Sequence, residues 1–248
     1  MGQLNHYAIA YQQIRALIRY PEALYQFLAR QCTHHDRALD LGCGSGFSSA
    51  RLQTYFSQVA GCDRDEALIA LARQNYPQLT FDVAKAELFT PPQPVDLLTC
   101  ATAFYWMDRP LMLSRMAQLL QSGGIFCAYR YEFPLVYGPL RDVVEYELAT
   151  RWAPFRDRRL VDYDDTLELM QIQPNLQHSQ RQLFPNILTL SVAQLATFFL
   201  STSYVTRYMA EQGGPEYAKR LLALLSASGE RDVRVNFDVT AFICRLRR

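Results

Sequence analysis

The sequence predicts an α/β protein built on a doubly wound, mainly parallel sheet of seven strands with an inserted helical cover. Three observations carry this. Between residues 37 and 134, short apolar runs alternate with stretches whose apolar residues recur at helical spacing. The first run ends in a turn holding Gly42, Gly44 and Gly46. After about residue 134 the alternation stops, and an aromatic- and arginine-rich stretch precedes two late apolar runs.

The elements follow in order. The first thirty residues read as helical: Ile14, Leu17 and Ile18 recur at helical spacing, and Tyr20-Pro21 restarts a second helix carrying Leu24, Phe27 and Leu28. RALDLGCGSG is a strand and its turn, and FSSARLQTYF resumes helical spacing. QVAGCD is a second strand, and DEALIALARQN is a helix whose acidic start suits its dipole. LTFDVAKAE is a third strand with its exit loop, TPPQP a loop, and VDLLTCATAF a fourth strand. RPLMLSRMAQLLQSGG reads as one helix, with Pro110 near its start and Gly123-Gly124 past its end. IFCAYRYEF is a fifth strand. LFPNILTLS and VRVNFDVTAFICRL read as two late strands flanking a helical stretch. The expected layout is one domain over 1–248: a helical cap (1–34), a cofactor-binding core (35–134), the inserted cover (135–182), and strands and helices completing the sheet (183–248).

Composition bounds the function. The 248 residues are enough to bury a core without staples, and 50% hydrophobic with 20% charged residues is globular. A net charge of +1 without a long basic run disfavours a nucleic-acid binder. No apolar stretch has the length of a membrane span, and the N-terminus shows no signal-peptide core, so a cytoplasmic protein is expected. The six cysteines show no metal-ligand spacing, so no metal is expected and the thiols read as small hydrophobes.

The decisive segment is Asp40-Leu41-Gly42-Cys43-Gly44-Ser45-Gly46. Its spacing is GxGxG, and the third small residue of a dinucleotide fingerprint would fall on Phe47. Asp40 would repel a diphosphate but suits an ammonium group. Asp63 ends the second strand, where a carboxylate accepts both hydroxyls of a ribose. A ligand with a cationic amino-acid end and a ribose, but no phosphate, is S-adenosylmethionine. The plainer alternatives are that Asp40 is a turn acid and that Asp63 caps the following helix.

These residues resemble a known family. ALDLGCGSG is similar to motif I of the class I S-adenosylmethionine-dependent methyltransferases, and VAGCDRDEALIALAR to their second-strand motif. AKAELFTPPQPVDLLTCATAFYWMD resembles the third and fourth motifs of the type 11 subgroup. Tyr20-Pro21, the cover ending at Val161–Tyr163 and the Thr202-Ser203 helix start resemble the trans-aconitate methyltransferase-like branch. The resemblance implies a Rossmann-like methyltransferase sheet, with S-adenosyl-L-methionine as cofactor and S-adenosyl-L-homocysteine as product. The cofactor residues it implies are Tyr11, Arg15, Asp40, Gly42, Cys43, Gly44, Gly46, Asp63, Arg64, Ala86, Glu87, Ala101, Thr102 and Trp106, with Ala86-Glu87 beside the adenine. Two positions depart from the family: Lys85 stands where Asp is frequent, and Tyr105 where His is frequent.

Tyr105, Arg130, Phe133, Tyr137, Trp152 and Tyr204 are the candidate acceptor-pocket residues; core packing is the alternative for Tyr105, as for Trp106. No histidine lies in a strand-end loop, and tyrosine is a poor base at neutral pH, so no catalytic residue is assigned. The expected nucleophile is therefore already anionic or nearly so, a carboxylate or an acidic hydroxyl on a small molecule. The partners expected are that acceptor and, at most, a second copy of the chain: a monomer or homodimer, with no nucleic acid and no membrane. A non-catalytic S-adenosylmethionine-binding protein and a nicotinamide-dependent oxidoreductase are the competing functions.

Overall fold

The structure, a computed structural model, describes residue 14 and residues 17–160 and 164–247. Within the described residues the chain divides into two compact units. Of the described residues the larger takes in 20–131, 164–184 and 239–247, the smaller 14, 17–19, 132–160 and 185–238.

The larger unit is a seven-stranded sheet covered on both faces by helices. Its strands are β1 (Arg37–Leu41), β2 (Gln58–Asp63), β3 (Thr80–Val83), β4 (Val95–Ala101), β5 (Leu120–Tyr131), β7 (Leu176–Phe184) and β10 (Val239–Leu246). Their order across the sheet is β3-β2-β1-β4-β5-β10-β7. The pairs from β3 to β5 are parallel, and β10 pairs antiparallel with both β5 and β7. Alternate side chains go to opposite faces. Ala38, Leu97, Cys127, Tyr129 and Ala241 pack with Leu24, Tyr25 and Leu28 of helix α1 (Glu22–Gln31) and with Ile69. Leu39, Leu41, Leu98, Phe126 and Phe242 pack with Met112, Leu113 and Met116 on the other face. Burial on both faces is why these strands read as continuous apolar runs.

The strand order reverses between β1 and β4: the chain builds outward through β2 and β3, then returns to lay β4 on the other side of β1. The crevice outside the carboxyl ends at such a reversal is where open α/β sheets bind ligands.

The smaller unit holds β6 (Leu135–Val136), β8 (Ile187–Ser191) and β9 (Asp232–Asn236), an antiparallel sheet in the order β6-β9-β8. Its helices include Leu140–Glu147, Val192–Leu200, Ser203–Tyr208 and Tyr217–Ser226.

Three expected elements differ. Both late strands are broken in two, so only β7 and β10 complete the large sheet while β8 and β9 join β6. The breaks fall at Pro185-Asn186 and Phe237-Asp238. Pro185 has no N–H to continue a ladder. The Asn186 N–H donates to Asp238 Oδ1 at 2.7 Å, and the Phe237 N–H to the Asn186 carbonyl at 2.8 Å. Second, β7 begins at Leu176, inside the stretch read as cover. Third, the single helix expected before Gly123-Gly124 is two short helices, Arg109–Ser114 and Met116–Leu119. Strand β5 starts at Leu120 and runs through both glycines, with an irregular register against β4 between Val95 and Leu97.

Candidate cofactor site

The glycine turn leaves the carboxyl end of β1. Gly42, Gly44 and Gly46 have φ of +68°, +55° and +86°, the left-handed region that only glycine enters without steric cost. The N–H groups of Gly42 and Cys43 both donate to the Cys62 carbonyl, at 2.8 and 3.0 Å, which ties the turn to β2. A Cβ on Gly42 would lie 2.6 Å from Ala103 Cβ, so the turn also sits directly against the loop leaving β4. Helix α2 (Phe47–Leu52) starts on Gly46.

Asp63, at the end of β2, spans the turn. Its Oδ2 accepts the Gly44 N–H and its Oδ1 the Asp65 N–H, each at 2.9 Å. The cap of the next helix (Glu66–Asn75) is Asp65, whose side chain accepts from the Ala67 and Leu68 N–H groups. A carboxylate has about four acceptor positions, so Asp63 keeps capacity for two ligand hydroxyls.

Asp40 lies beneath the turn rather than in it. It is fully buried, and its oxygens accept hydrogen bonds from Ser49 Oγ and Thr99 Oγ1, each at 2.8 Å. Its charge therefore acts on a cationic ligand through the field, not as the direct ammonium contact that its place in the sequence suggests. Burial pushes its pKa up to about 6, opposed by the two hydroxyl donors, with Asp63 adding a further upward push. Ser48, the neighbour of Ser49, hydrogen-bonds to Tyr129 and accepts from Tyr25 at 3.4 Å, which fastens the same helix turn to β5 and α1.

Ala101 ends β4, and the loop after it carries Thr102, Tyr105 and Trp106; all four are partly exposed. Trp106 lies beside Tyr105, their ring centroids 5.1 Å apart. The loop after β3 brings Glu87 to the same region, where its Oε1 accepts the Asp108 N–H at 3.1 Å; Ala86 is buried and Arg64 exposed. Arg130, at the end of β5, stands over the Tyr105 ring at 5.7 Å and pairs with Asp164 at 3.1 Å. Arg109 pairs with Asp165 at 2.6 Å. Arg130 is thus matched by an acid of this chain. Tyr11, Arg15 and Val161–Tyr163 lie outside the described residues.

In the smaller unit, Phe133, Trp152 and Tyr204 come together around Phe199. Trp152 lies 4.8 Å from Phe199 and 6.1 Å from Tyr204, and Phe133 6.1 Å from Tyr204. The half-buried Arg156 guanidinium sits 5.1 Å from the Phe133 centroid and 6.0 Å from that of Tyr204. Tyr137 stands apart, exposed under Arg234 at 5.5 Å.

The residues missed in the sequence are Ser45, Ser48, Ser49, Thr99 and Tyr129. The paired serines after the glycines were a usable signal, since hydroxyls in the first helix turn can reach back to a strand acid. Ser45 Oγ is buried inside the turn without a hydrogen-bond partner, an orphan polar atom that a ligand would satisfy. The left-handed cradle, that orphan hydroxyl and the two carboxylates fit S-adenosylmethionine, whose amino-acid end is cationic and whose ribose offers a diol.

Comparison with known proteins agrees with this chemistry. Residues 38–124 match the family described as a methyltransferase domain. A candidate methyltransferase of Dictyostelium discoideum is 25% identical over 234 residues, covering 89% of this chain and 86% of that protein. Trans-aconitate 2-methyltransferase of Methylobacterium radiotolerans is 36% identical over 91 residues, 36% of this chain and 35% of that enzyme. The chain thus matches about a third of that enzyme's length. The solved structure of a candidate type II methyltransferase from Anaeromyxobacter dehalogenans superimposes with a TM-score of 0.73 at 26% identity, over 93% of this chain and 98% of that one.

Proposed function

We propose that this chain, which belongs to the class I S-adenosylmethionine-dependent methyltransferases of the type 11 kind, transfers the methyl group to an oxygen of a small acceptor. The observation that carries the cofactor half of this reading is the glycine turn fastened to Asp63 through the Gly44 N–H. When bound, S-adenosylmethionine supplies a methyl group on a positively charged sulfur that is already a good leaving group. The chain's residues have to hold, orient and exclude water. Asp63 offers acceptors to a diol, Gly42–Gly46 give way to a closely approaching ligand, and buried Asp40 sets a negative field under its cationic end. Positioning of this kind supplies up to about 7–11 kcal/mol of a barrier.

The acceptor half rests on what the chain lacks and on what its relatives act upon. The described histidines, His34 and His35 before β1 and His178 in β7, lie outside the loops at the carboxyl ends of β1 to β5, and an acceptor that arrives as a carboxylate or acidic hydroxyl needs no base from the protein. Trans-aconitate, the substrate in the name of the relative trans-aconitate 2-methyltransferase, is a molecule that carries carboxylates. Trp152 and Tyr204, 0% and 6% exposed, pack as core around Phe199, so these two candidates give the acceptor reading no support. A net charge of +1 supports a small acceptor over a nucleic acid.

Two experiments test this. Calorimetry with S-adenosylmethionine, S-adenosylhomocysteine and NADH is expected to give heat with the first two alone; uptake of NADH in their place overturns the cofactor assignment. Transfer of labelled methyl to panels of carboxylic acids, phenols, alcohols and amines is expected to favour the acids. Exclusive transfer to an unactivated amine or alcohol overturns the acceptor assignment.

A further inference from the structure

Among the described residues, two that are not glycine adopt a left-handed backbone, Thr102 at φ +52° and His178 at φ +55°. His178 lies in β7, at the irregularity of its pairing with β10. Thr102 stands at the carboxyl end of β4, in the crevice where the strand order reverses. A β-branched residue is an outlier there, and glycine would hold the same backbone at no steric cost. Such a conformation survives only where its surroundings fix it.

Three contacts fix it. The Thr102 N–H donates to the Tyr129 carbonyl at 2.7 Å. The Thr102 hydroxyl is hydrogen-bonded to the phenol of Tyr20, a residue 82 positions earlier in the chain. The Tyr20 ring stands edge-on to the Tyr129 ring, centroids 5.0 Å apart at 89°, and is tilted against Tyr131 at 6.3 Å. Tyr20, Thr102 and Tyr129 thus form a closed triangle, two side chains and one backbone bond, around one strained residue. The next residue, Ala103, touches the glycine turn, since its Cβ occupies the space a Gly42 side chain would need. A displacement of Thr102 is therefore passed to Gly42 through one peptide unit and one van der Waals contact.

We propose that Tyr20 is a positioning residue of the cofactor site: through the Thr102 hydroxyl it sets the loop leaving β4, and through Ala103 it sets the glycine turn. This rests on the reading of that turn as the S-adenosylmethionine site, and gives Tyr20, which is absent from the implied cofactor residues, a part in forming it. Tyr20 acts through another residue, so its removal changes how well a ready site is formed and not the chemistry itself.

The test is a double-mutant cycle read by calorimetry with S-adenosylmethionine, alongside thermal midpoints of the cofactor-free proteins. Tyr20→Phe keeps the ring contacts and removes the hydroxyl; Thr102→Val removes its partner. Each is expected to weaken binding at least fivefold, the double variant no more than either single one, and Thr102→Ser to stay within twofold of the parent. Thr102→Gly relieves the backbone without restoring the hydroxyl, so it folds readily and is expected to bind as weakly as Thr102→Val. The proposal is overturned if Tyr20→Phe binds within twofold of the parent, if the two losses multiply in the double variant, or if Thr102→Gly binds as the parent does. A parent protein that takes up no S-adenosylmethionine overturns the functional reading and this proposal with it. A parent that binds while Tyr20→Phe binds equally overturns this proposal alone.

Discussion

Asp40 and Thr99 are register partners across the β1–β4 pair, and the threonine hydroxyl donates to the carboxylate at 2.8 Å. With Ser49 on its other oxygen, Asp40 has a hydrogen-bond donor on each side and no contact with water. A buried acid held this way under a ligand turn couples protonation, folding and ligand charge.

The pH dependence follows with a definite sign. The folded protein holds the Asp40 proton to about pH 6, whereas the ordinary value is 3.8. Below pH 3.8 the group is protonated in both states and contributes its full stability. As pH rises through about 6 that contribution is lost, by about 3 kcal/mol at the ordinary free energy per pKa unit. Asp40→Asn is therefore expected to flatten the slope between pH 4 and 6 in thermal denaturation of the cofactor-free protein, and to match or exceed the parent's stability at pH 8. Affinity for the cationic cofactor should rise with pH across the same window in the parent and not in Asp40→Asn. A variant whose slope and affinity profile track the parent's would show that Asp40 does not titrate there.

Asp63→Ala should cut S-adenosylmethionine affinity. The substitution takes the acceptor from the Gly44 and Asp65 N–H groups and from the ligand's hydroxyls together. Hydrogen bonds to a charged group contribute about 1.5–3 kcal/mol, so the dissociation constant measured by calorimetry should rise by roughly one to two orders of magnitude. Asp63→Asn retains one acceptor oxygen and should fall between parent and alanine variant.

Gly42→Ala meets two obstacles, a left-handed φ of +68° and a contact of 2.6 Å with Ala103 Cβ. The backbone alone should cost about 1–2 kcal/mol of stability in chemical denaturation, and cofactor binding should be lost. Adding Ala103→Gly removes the clashing methyl and should recover part of the binding but not the backbone cost. Full recovery, or none, would mean the strain and the contact are wrongly apportioned.

What was legible in the sequence follows how local each signal is. The alternation through β5 is readable because a switch from a continuous apolar run to a 3.6-residue period lies within a dozen residues. The glycine turn was readable because positive φ at three spaced positions selects one residue type. The late strands were not, because apolar runs do not say which sheet they join. LFPNILTLS is divided by a hydrogen bond from Asn186 to Asp238, a residue 52 positions away. The chemistry of Asp40 was hidden for the same reason, since its partner Thr99 is 59 residues distant. The cluster of Phe133, Trp152 and Tyr204 was proposed from residue type alone, which could not also show that Tyr137 lies apart from it.

The smaller unit carries a buried chain of polar groups whose truncation should be expensive. Glu147 is 1% exposed, accepts the Tyr217 hydroxyl and pairs with Arg151. Trp152 Nε1 donates to the same Tyr217 oxygen at 2.8 Å. Burial and the adjacent carboxylate push the Tyr217 phenol well above its ordinary range, so it stays protonated and remains a donor to Glu147. Tyr217→Phe keeps the ring packed on Tyr208, 4.8 Å away, but leaves the Trp152 N–H and one Glu147 oxygen unpaired in the interior. Each buried group left unsatisfied costs about 1–3 kcal/mol, so urea denaturation should show a loss of at least that size. Glu147→Gln should also lose stability: the amide still accepts from Tyr217, but the buried ion pair is broken and Arg151 is left without its partner charge. A Tyr217→Phe protein as stable as the parent would mean that water takes over both bonds, and that the chain does not hold this unit together.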